Sequence, residues 1–397
     1  MEPESAPENL LITVSGRDRP GLTARIFDAL QGEVLDTEQT VVSGRLVQLV
    51  LLAATQFREE IGRNLTQLAT ELELDVEVTQ TTEVSYDRNE ERQRLVMLGA
   101  PMDSHAIADI ARAIRDSHGN IERIARIAAY PVTAIELIVR SPNNNELRRA
   151  AATVANHRGI DISVQPVTLD RLGRHLVVLD VDSTLIQDEV IELLAQHTGT
   201  ADQVAQITER AMRGELDFRS SLNERAALLA GADESVLTEV RDQIRLTPGA
   251  RTLCRTLTSL GHEIALVSGG FTDVIAPIAQ RLGVNHIRAN TLEIENGKLT
   301  GRVVEPIVDR SGKAVALREI AADAGIPLTR TVAIGDGAND LDMLAAAGLG
   351  VAFNAKPVLQ EAADASVNVP FLDSVLFLMG LSREEIESAQ AMHGEDS

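Results

Sequence analysis

Residues 175 to 184, His-Leu-Val-Val-Leu-Asp-Val-Asp-Ser-Thr, constrain this chain more than any other segment, because an apolar run ends abruptly in two carboxylates. A strand that buries Leu176 to Leu179 delivers Asp180 and Asp182 to its C-terminal edge, where open parallel sheets place their ligand crevice. Two aspartates two residues apart suit a nucleophile beside a general acid/base, with a hard divalent cation between them to hold the charges together. Taken alone, the segment also fits an Asp-rich turn capped by Ser-Thr, so its meaning depends on the downstream sequence.

Residues His262 to Val267 predict a second apolar strand, ending in Ser268-Gly269-Gly270, where a small hydroxyl and glycine N–H groups form a cradle for phosphate oxygens. Lys313 comes next, just before a helical pattern from Ala314 to Ala324; a surface lysine gains nothing from that end of a helix. Thr331 to Ile334 then run into Gly335-Asp336-Gly337-Ala338-Asn339-Asp340, an acidic turn that opens a helix continuing to Ala346. Together the four segments resemble the haloacid dehalogenase phosphatase superfamily, whose motifs D-x-D-x-T, S-G-G, K and G-D-G-x-x-D stand here in order. The resemblance implies an α/β fold, with a doubly wound Rossmann-like core and a helical cap.

It also implies roles. Asp180 is the nucleophile, and Asp182 protonates the leaving alkoxide and later activates water. Mg2+ is held by the Asp180 carboxylate, the Asp182 backbone carbonyl and the Asp336 carboxylate, an all-oxygen shell with waters retained. Ser268, the Gly269 N–H and Lys313 bind phosphoryl oxygens, while Asp340 supports the metal shell or orients Lys313. An aspartate at position 182 favours phosphatases over dehalogenases and ATP-driven pumps.

Composition agrees. The longest apolar stretch, around Leu46 to Ala54, is broken by Gln48, far short of the roughly 18 to 20 apolar residues of a membrane span. Without a charged, apolar-cored leader, the expected location is cytoplasmic. The 37 basic and 59 acidic residues leave a net charge of -22, which argues against a nucleic-acid surface. The one cysteine, Cys254, lies in a helical pattern as a small core residue, and eight scattered histidines show no zinc spacing.

The N-terminal half repeats a βαββαβ order. The first copy has strands at Leu10 to Ser15, Asp36 to Val42, Arg45 to Thr55 and Asp75 to Val84, with helices at Leu22 to Gln31 and Ile61 to Glu71. The second runs from Arg94 to Val167, and each copy reads as a small ferredoxin-like α+β unit. The first resembles an ACT domain through its strand followed by Gly16-Arg17-Asp18-Arg19-Pro20-Gly21. The second lacks the Pro-Gly pair. The resemblance implies either an amino-acid effector site at Gly16, Asp18 and Gly21 or a purely oligomerising role; on local chemistry the segment is also simply a turn. Expected boundaries are a flexible 1–8, ACT-like domains at 9–88 and 93–168, and a phosphatase domain at 169–397 with its cap at 188–245. The acidic tail from Ser382 is expected to fray.

Within the cap, Glu189 and Arg225 read blandly as solvated helix residues. With the other motifs present, the arrangement resembles phosphoserine phosphatases: Glu189 takes the substrate ammonium, Arg225 its carboxylate, and Met212 and Phe218 close apolar surface over the site, with Gly270 and Asn339 beside the substrate. The implied reaction is O-phospho-L-serine plus water giving L-serine and phosphate, the last step of L-serine biosynthesis, in a homodimer regulated by L-serine. A phosphotransferase to another alcohol such as homoserine, and an inactive amino-acid sensor, are the alternatives.

Overall fold

The computed structural model describes residues 9–53, 56–81 and 91–391. The chain forms two compact units that divide between Arg88 and Asn89. The first holds β1 (Asn9–Arg17), α1 (Leu22–Asp28), β2 (Val34–Val42), β3 (Arg45–Leu52), α2 (Arg58–Leu72) and β4 (Asp75–Thr81) in one antiparallel sheet of order β2-β3-β1-β4. Alternation decides its core: Leu10, Ile12 and Val14 of β1 and Leu46, Val50 and Leu52 of β3 turn to one face, where Ile26, Ile61 and Leu65 from the helices meet them. Residues 1–8, where a flexible start is expected, lie outside the described residues, as do Ala54, Thr55 and Thr82 to Val84 of the expected strands.

The second unit begins with the same order: β5 (Glu91–Gly99), α3 (Ser104–Asp116), β6 (Asn120–Ala128), β7 (Thr133–Ser141), α4 (Asn144–Arg158) and β8 (Asp161–Pro166), in a sheet ordered β6-β7-β5-β8. Leu95 and Met97 face α3 and α4. Val96 and Leu98, on the other face, join Ala128, Val132 and Ala134 in the same apolar cluster as the sheet that follows. Gln93 to Gly99 is therefore buried throughout, on both sides of the sheet. Asp161 completes the junction, accepting from the backbone N–H and the side-chain amide of Asn368, both at 2.7 Å. The second module is thus built into the larger domain.

That domain continues with β9 (Leu176–Leu179), α5 (Val190–Thr198), α6 (Ala201–Met212), α7 (Phe218–Ala227), α8 (Ser235–Gln243), α9 (Ala250–Ser259), β10 (Glu263–Phe271) and α10 (Thr272–Arg281). Next come β11 (His286–Glu295), β12 (Lys298–Val304), α11 (Arg310–Asp323), β13 (Thr331–Gly335), α12 (Leu341–Ala346), β14 (Leu349–Phe353), α13 (Pro357–Ala362), β15 (Ala365–Val367), α14 (Val375–Leu378) and α15 (Arg383–Ala391). Seven strands form one sheet of order β12-β11-β10-β9-β13-β14-β15, parallel except for β12. The central β9 has β10 on one side and β13 on the other, so the chain reverses its direction of winding there, and the crevice opens at those three strand ends.

The cap α5 to α8 leaves after β9 and returns before α9. Its two connections zip together: Gln187 N–H donates to the Arg245 carbonyl (2.9 Å), Thr247 N–H to the Leu185 carbonyl (3.0 Å), and Asp188 accepts from the Arg245 backbone (2.8 Å) and guanidinium (2.6 Å). The Asn296-Gly297 hairpin holds the far end, with both turn residues at positive φ (52° and 75°) as this turn type requires. Its Gly297 and Leu299 carbonyls accept from Glu234 and Gly231 of the cap at 2.9 and 2.8 Å.

Two expectations are corrected. The tail from Ser382 does not fray along its described length: α15 buries Ile386 and Ala389. Sparse apolar residues in an acidic segment hid a helix that tertiary packing supports. Lys313 does not precede its helix; it lies in the first turn of α11, almost fully buried. No helix among the described residues is long and apolar enough to cross a membrane.

Candidate active site

Asp180 follows the four fully buried residues of β9, and its backbone N–H donates to the Ile334 carbonyl of β13 at 2.9 Å. The next turn is irregular: Ser183 adopts φ 56°, a left-handed conformation uncommon for serine. That turn sends Asp182 back toward the pocket and lets the Ser183 hydroxyl donate to Glu189 Oε1 at 2.8 Å.

Lys313 reaches the same point from α11, whose N-terminus is capped by Asp309 accepting from the Gly312 N–H at 2.8 Å. A cation in the first helical turn opposes the helix dipole, and its compensation is direct: Nζ lies 2.7 Å from both Asp180 Oδ1 and Asp340 Oδ1. Burial alone would lower the Lys313 pKa; attraction from Asp180 and Asp340 overcomes it and raises the value. Asp180 itself is pushed well above the usual carboxylate range by burial and by repulsion from Asp340, with Lys313 opposing. Asp336, just past the end of β13, is raised to about 6 by burial and by Asp340.

Asp180, Asp336 and Asp340 each offer a carboxylate oxygen, all within 4.8 Å of one another. One ammonium cannot neutralise three such groups. A hard divalent cation with oxygen ligands fits this donor set and this charge deficit. Asp340 thus stands in the carboxylate cluster as well as on Lys313. The Asp182 carboxylate turns elsewhere, accepting from Val190 N–H at 3.0 Å and lying 3.4 Å from the Ser268 hydroxyl.

Burial, and then Glu189, raise Asp182 to about 7, despite the Val190 hydrogen bond. A carboxyl group so placed can hold a proton near neutrality and release it to a leaving group. Two glycines let the elements close around it. A Cβ on Gly270 would stand 2.7 Å from Asp182 Oδ2, and one on Gly269 2.9 Å from the Phe218 ring of the cap. The strand β10 runs on through Phe271, so the Ser-Gly-Gly segment is extended rather than a separate loop.

The cap supplies the roof. Asp180, Asp182, Glu189, Phe218, Arg225 and Asn339 line a cavity of about 80 Å³. Glu189 precedes α5 and its pKa is raised by burial, against the Ser183 hydrogen bond. Arg225, on α7, donates to the Ser221 carbonyl at 3.3 Å and forms no ion pair among the described residues; burial lowers its pKa, and Glu189 opposes that. The Met212 side chain lies outside the described residues.

Comparison with known proteins places this geometry. The profile of haloacid dehalogenase-like hydrolases matches residues 177–345, and profiles of the ACT domain match residues 8–79 and 92–165. A phosphoserine phosphatase of Streptomyces coelicolor is 52% identical over 388 residues, covering 96% of this chain and 95% of that protein. The chain belongs to the phosphoserine phosphatase family. The phosphoserine phosphatase of Mycobacterium tuberculosis is 46% identical over 398 residues, covering 97% of this chain and 96% of its own. Among solved structures, the unliganded probable phosphoserine phosphatase of Vibrio cholerae has a TM-score of 0.59 at 32% identity, covering 75% of this chain and 88% of that one.

As a member of this family the chain is a phosphatase, and the structure brings Asp180, Asp182, Glu189, Phe218, Arg225, Ser268, Gly269, Gly270, Lys313, Asp336, Asn339 and Asp340 to one crevice. Gly16, Asp18 and Gly21 lie in the other compact unit: Gly16 is pressed against Leu74, Asp18 N–H donates to the Gly44 carbonyl at 2.9 Å, and Gly21 turns the chain into α1 at φ 83°.

Sequence reasoning missed the residues that hold the machinery. Asn290 is fully buried; its amide donates to the Gly269 carbonyl at 2.8 Å and accepts from Val308 N–H at 2.7 Å, tying the glycine segment to the approach of α11. Asp188 clasps the root of the cap, and Ser183 orients Glu189. A lone Asn in a β-rich stretch carries no motif signal; Ser183 fills an unspecified position inside D-x-D-x-T and Asp188 stands beside Glu189, so neither carries a signal of its own.

Proposed function

We propose that this chain hydrolyses O-phospho-L-serine to L-serine and phosphate through a phosphoaspartate on Asp180. One observation carries the proposal: two sets of recognition groups face a single cavity. Asp180, paired with the buried Lys313, stands on one side, and Glu189 and Arg225, opposite charges suited to an ammonium and a carboxylate, line the same space.

A phosphomonoester dianion repels a carboxylate, so the floor must first neutralise it. Lys313 lies against the Asp180 carboxylate, and Ser268 and the Gly269 N–H line the approach to the remaining phosphoryl oxygens. Asp180 attacks phosphorus, the P–O bond to serine breaks, and Asp182 gives its proton to the departing alkoxide. Ionised Asp182 then takes a proton from water as that water attacks phosphorus and frees Asp180. The Asp180, Asp336 and Asp340 carboxylates, with the Asp182 backbone carbonyl, would hold Mg2+, which when bound would supply charge neutralisation for the transferring phosphoryl group. Asp340 orients Lys313. Asn339 and Gly270 border the substrate, with Phe218 of the cap excluding water.

We further infer a cytoplasmic homodimer associated through its ACT domains, with L-serine acting as product and as effector at Gly16, Asp18 and Gly21. Its domains run over 9–88, 93–168 and 169–397. The test is a phosphate-release screen over phosphorylated metabolites with and without Mg2+. Phosphoserine should be preferred and the metal required; equal turnover of phosphomonoesters lacking an amino acid would overturn the substrate assignment.

A further inference from the structure

Beside the junction of the second module with the phosphatase core, away from the catalytic crevice, lies a cavity of about 1010 Å³. Along β5 the residues Arg94, Val96 and Leu98 share the face that meets the core, since side chains two apart point the same way. Val96 and Leu98 seal their end of the face with apolar neighbours. Arg94 does not: it is 6% exposed and stands in the cavity wall with Arg123 of β6 and Arg171 of the linker before β9.

Arg94 is an unusual buried arginine. Its Nη2 donates to the Leu378 carbonyl at 3.0 Å and to Gln165 Oε1 at 3.1 Å, which fixes the guanidinium plane. Among the described residues no acceptor reaches Nη1, and neither Arg94 nor Arg123 nor Arg171 forms an ion pair. Of the other charges in the wall, Arg92 pairs with Glu122, Arg148 with Asp364 and Asp170 with Arg330, and the carboxylates Glu136, Glu384 and Glu385 line it as well. Burial depresses the Arg94 pKa; Glu136, in the same wall, opposes this, and the like charge of Arg171 adds to it. A buried cation lacking a counter-ion is costly, and an anion brought against the guanidinium from the cavity removes that cost. Gly380 lets the guanidinium pack this deeply, since a Cβ there would come within 1.6 Å of Nη1.

We propose that this cavity binds a small oxyanion, a carboxylate or a phosphate, on the Arg94 guanidinium, with Arg123 and Arg171 completing the site. Its walls come from the module's sheet on one side and from the segment around Met379 to Ser382 on the other, so the ligand ties module to phosphatase core. The site shares no lining residue with the catalytic cavity.

The test is titration calorimetry of the full-length protein with succinate and with inorganic phosphate at constant ionic strength, supported by thermal shift. At least one of the two should bind and raise Tm, as any ligand specific to the folded state does. Arg94→Met should weaken that binding by about tenfold or more, the loss expected for a charge-assisted bond. The double variant Arg123→Gln/Arg171→Gln, at exposed positions that leave the fold intact, should do the same. Arg225→Ala and Ser268→Ala, confined to the catalytic pocket, should leave it unchanged. Succinate binding alone identifies a carboxylate ligand, and phosphate binding alone a phosphorylated one. Binding of neither anion, or binding lost only in the catalytic-pocket variants, overturns the proposal.

Discussion

The Lys313 ammonium and the Asp180 carboxylate stand 2.7 Å apart with side chains only 1% and 4% exposed, a buried pair formed where a helix's first turn meets the end of a strand. Such a pair is held by mutual charge, and removing one partner strands the other. Lys313→Gln should lower stability by about 3 to 5 kcal/mol and kcat by about two to three orders of magnitude. Urea unfolding and steady-state kinetics check both. Unchanged stability would mean that Asp180 and Asp340 share a proton in the folded state instead of facing a charged lysine.

Arg225 should read the substrate carboxylate and nothing else. Arg225→Ala should reduce kcat/KM on phosphoserine by about 10- to 150-fold, the range for a charge-assisted hydrogen bond. Phosphoethanolamine lacks the carboxylate and should be affected far less. Equal losses on both substrates would reassign Arg225 to shaping the cap.

His262 and His175 meet edge to face, ring centroids 5.3 Å apart, and the His175 backbone N–H donates to His262 Nδ1 at 3.2 Å. Burial, with His175 adding to it, lowers the His262 pKa from its usual 6.5 to about 4. The folded state therefore holds the neutral ring. Its contribution to stability is present above about pH 6.5 and lost as pH falls toward 4, because the unfolded chain binds the proton first. Tm should fall more between pH 7 and pH 5 in the wild type than in His262→Asn, which keeps an acceptor but does not titrate. Identical slopes would show that His262 plays no part in acid lability.

The two N-terminal modules should respond differently to truncation. The first has its own closed core, whereas Val96, Leu98, Ala128, Val132 and Ala134 of the second belong to the core of the phosphatase domain. A chain starting at residue 89 should fold and keep kcat within about twofold. One starting at residue 169 loses those aliphatic contacts, each worth roughly 1.5 to 3 kcal/mol for a fully buried Val or Leu, and should unfold at lower temperature or aggregate. Circular dichroism melts with activity assays separate the cases; equal stability of the two fragments would contradict the fused core.

Much of this was legible in the sequence, for identifiable reasons. Fully buried strands such as Leu176 to Leu179 are continuous apolar runs, and chemistry collects at their C-terminal ends, so Asp180, Ser268 and Asp336 stood out by position. Asn296-Gly297 marked its own hairpin. The rest depends on tertiary partners. Helix α15 has little apolar pattern and is fixed by Ile386 and Ala389 packing; Asn290 matters only because two distant backbones converge on it; and Arg94 on β5 looks like a surface arginine until the phosphatase core covers that face.

Chemical trapping puts the phosphoaspartate itself to the test. Enzyme mixed with 32P-labelled phosphoserine and Mg2+, quenched in acid within the first turnover and mapped by peptide, should carry the label on Asp180. Asp180→Asn should carry none and turn over no phosphoserine, because an amide is not a competent nucleophile. Label on another residue, or wild-type turnover by Asp180→Asn with deamidation excluded, would contradict a covalent role for Asp180.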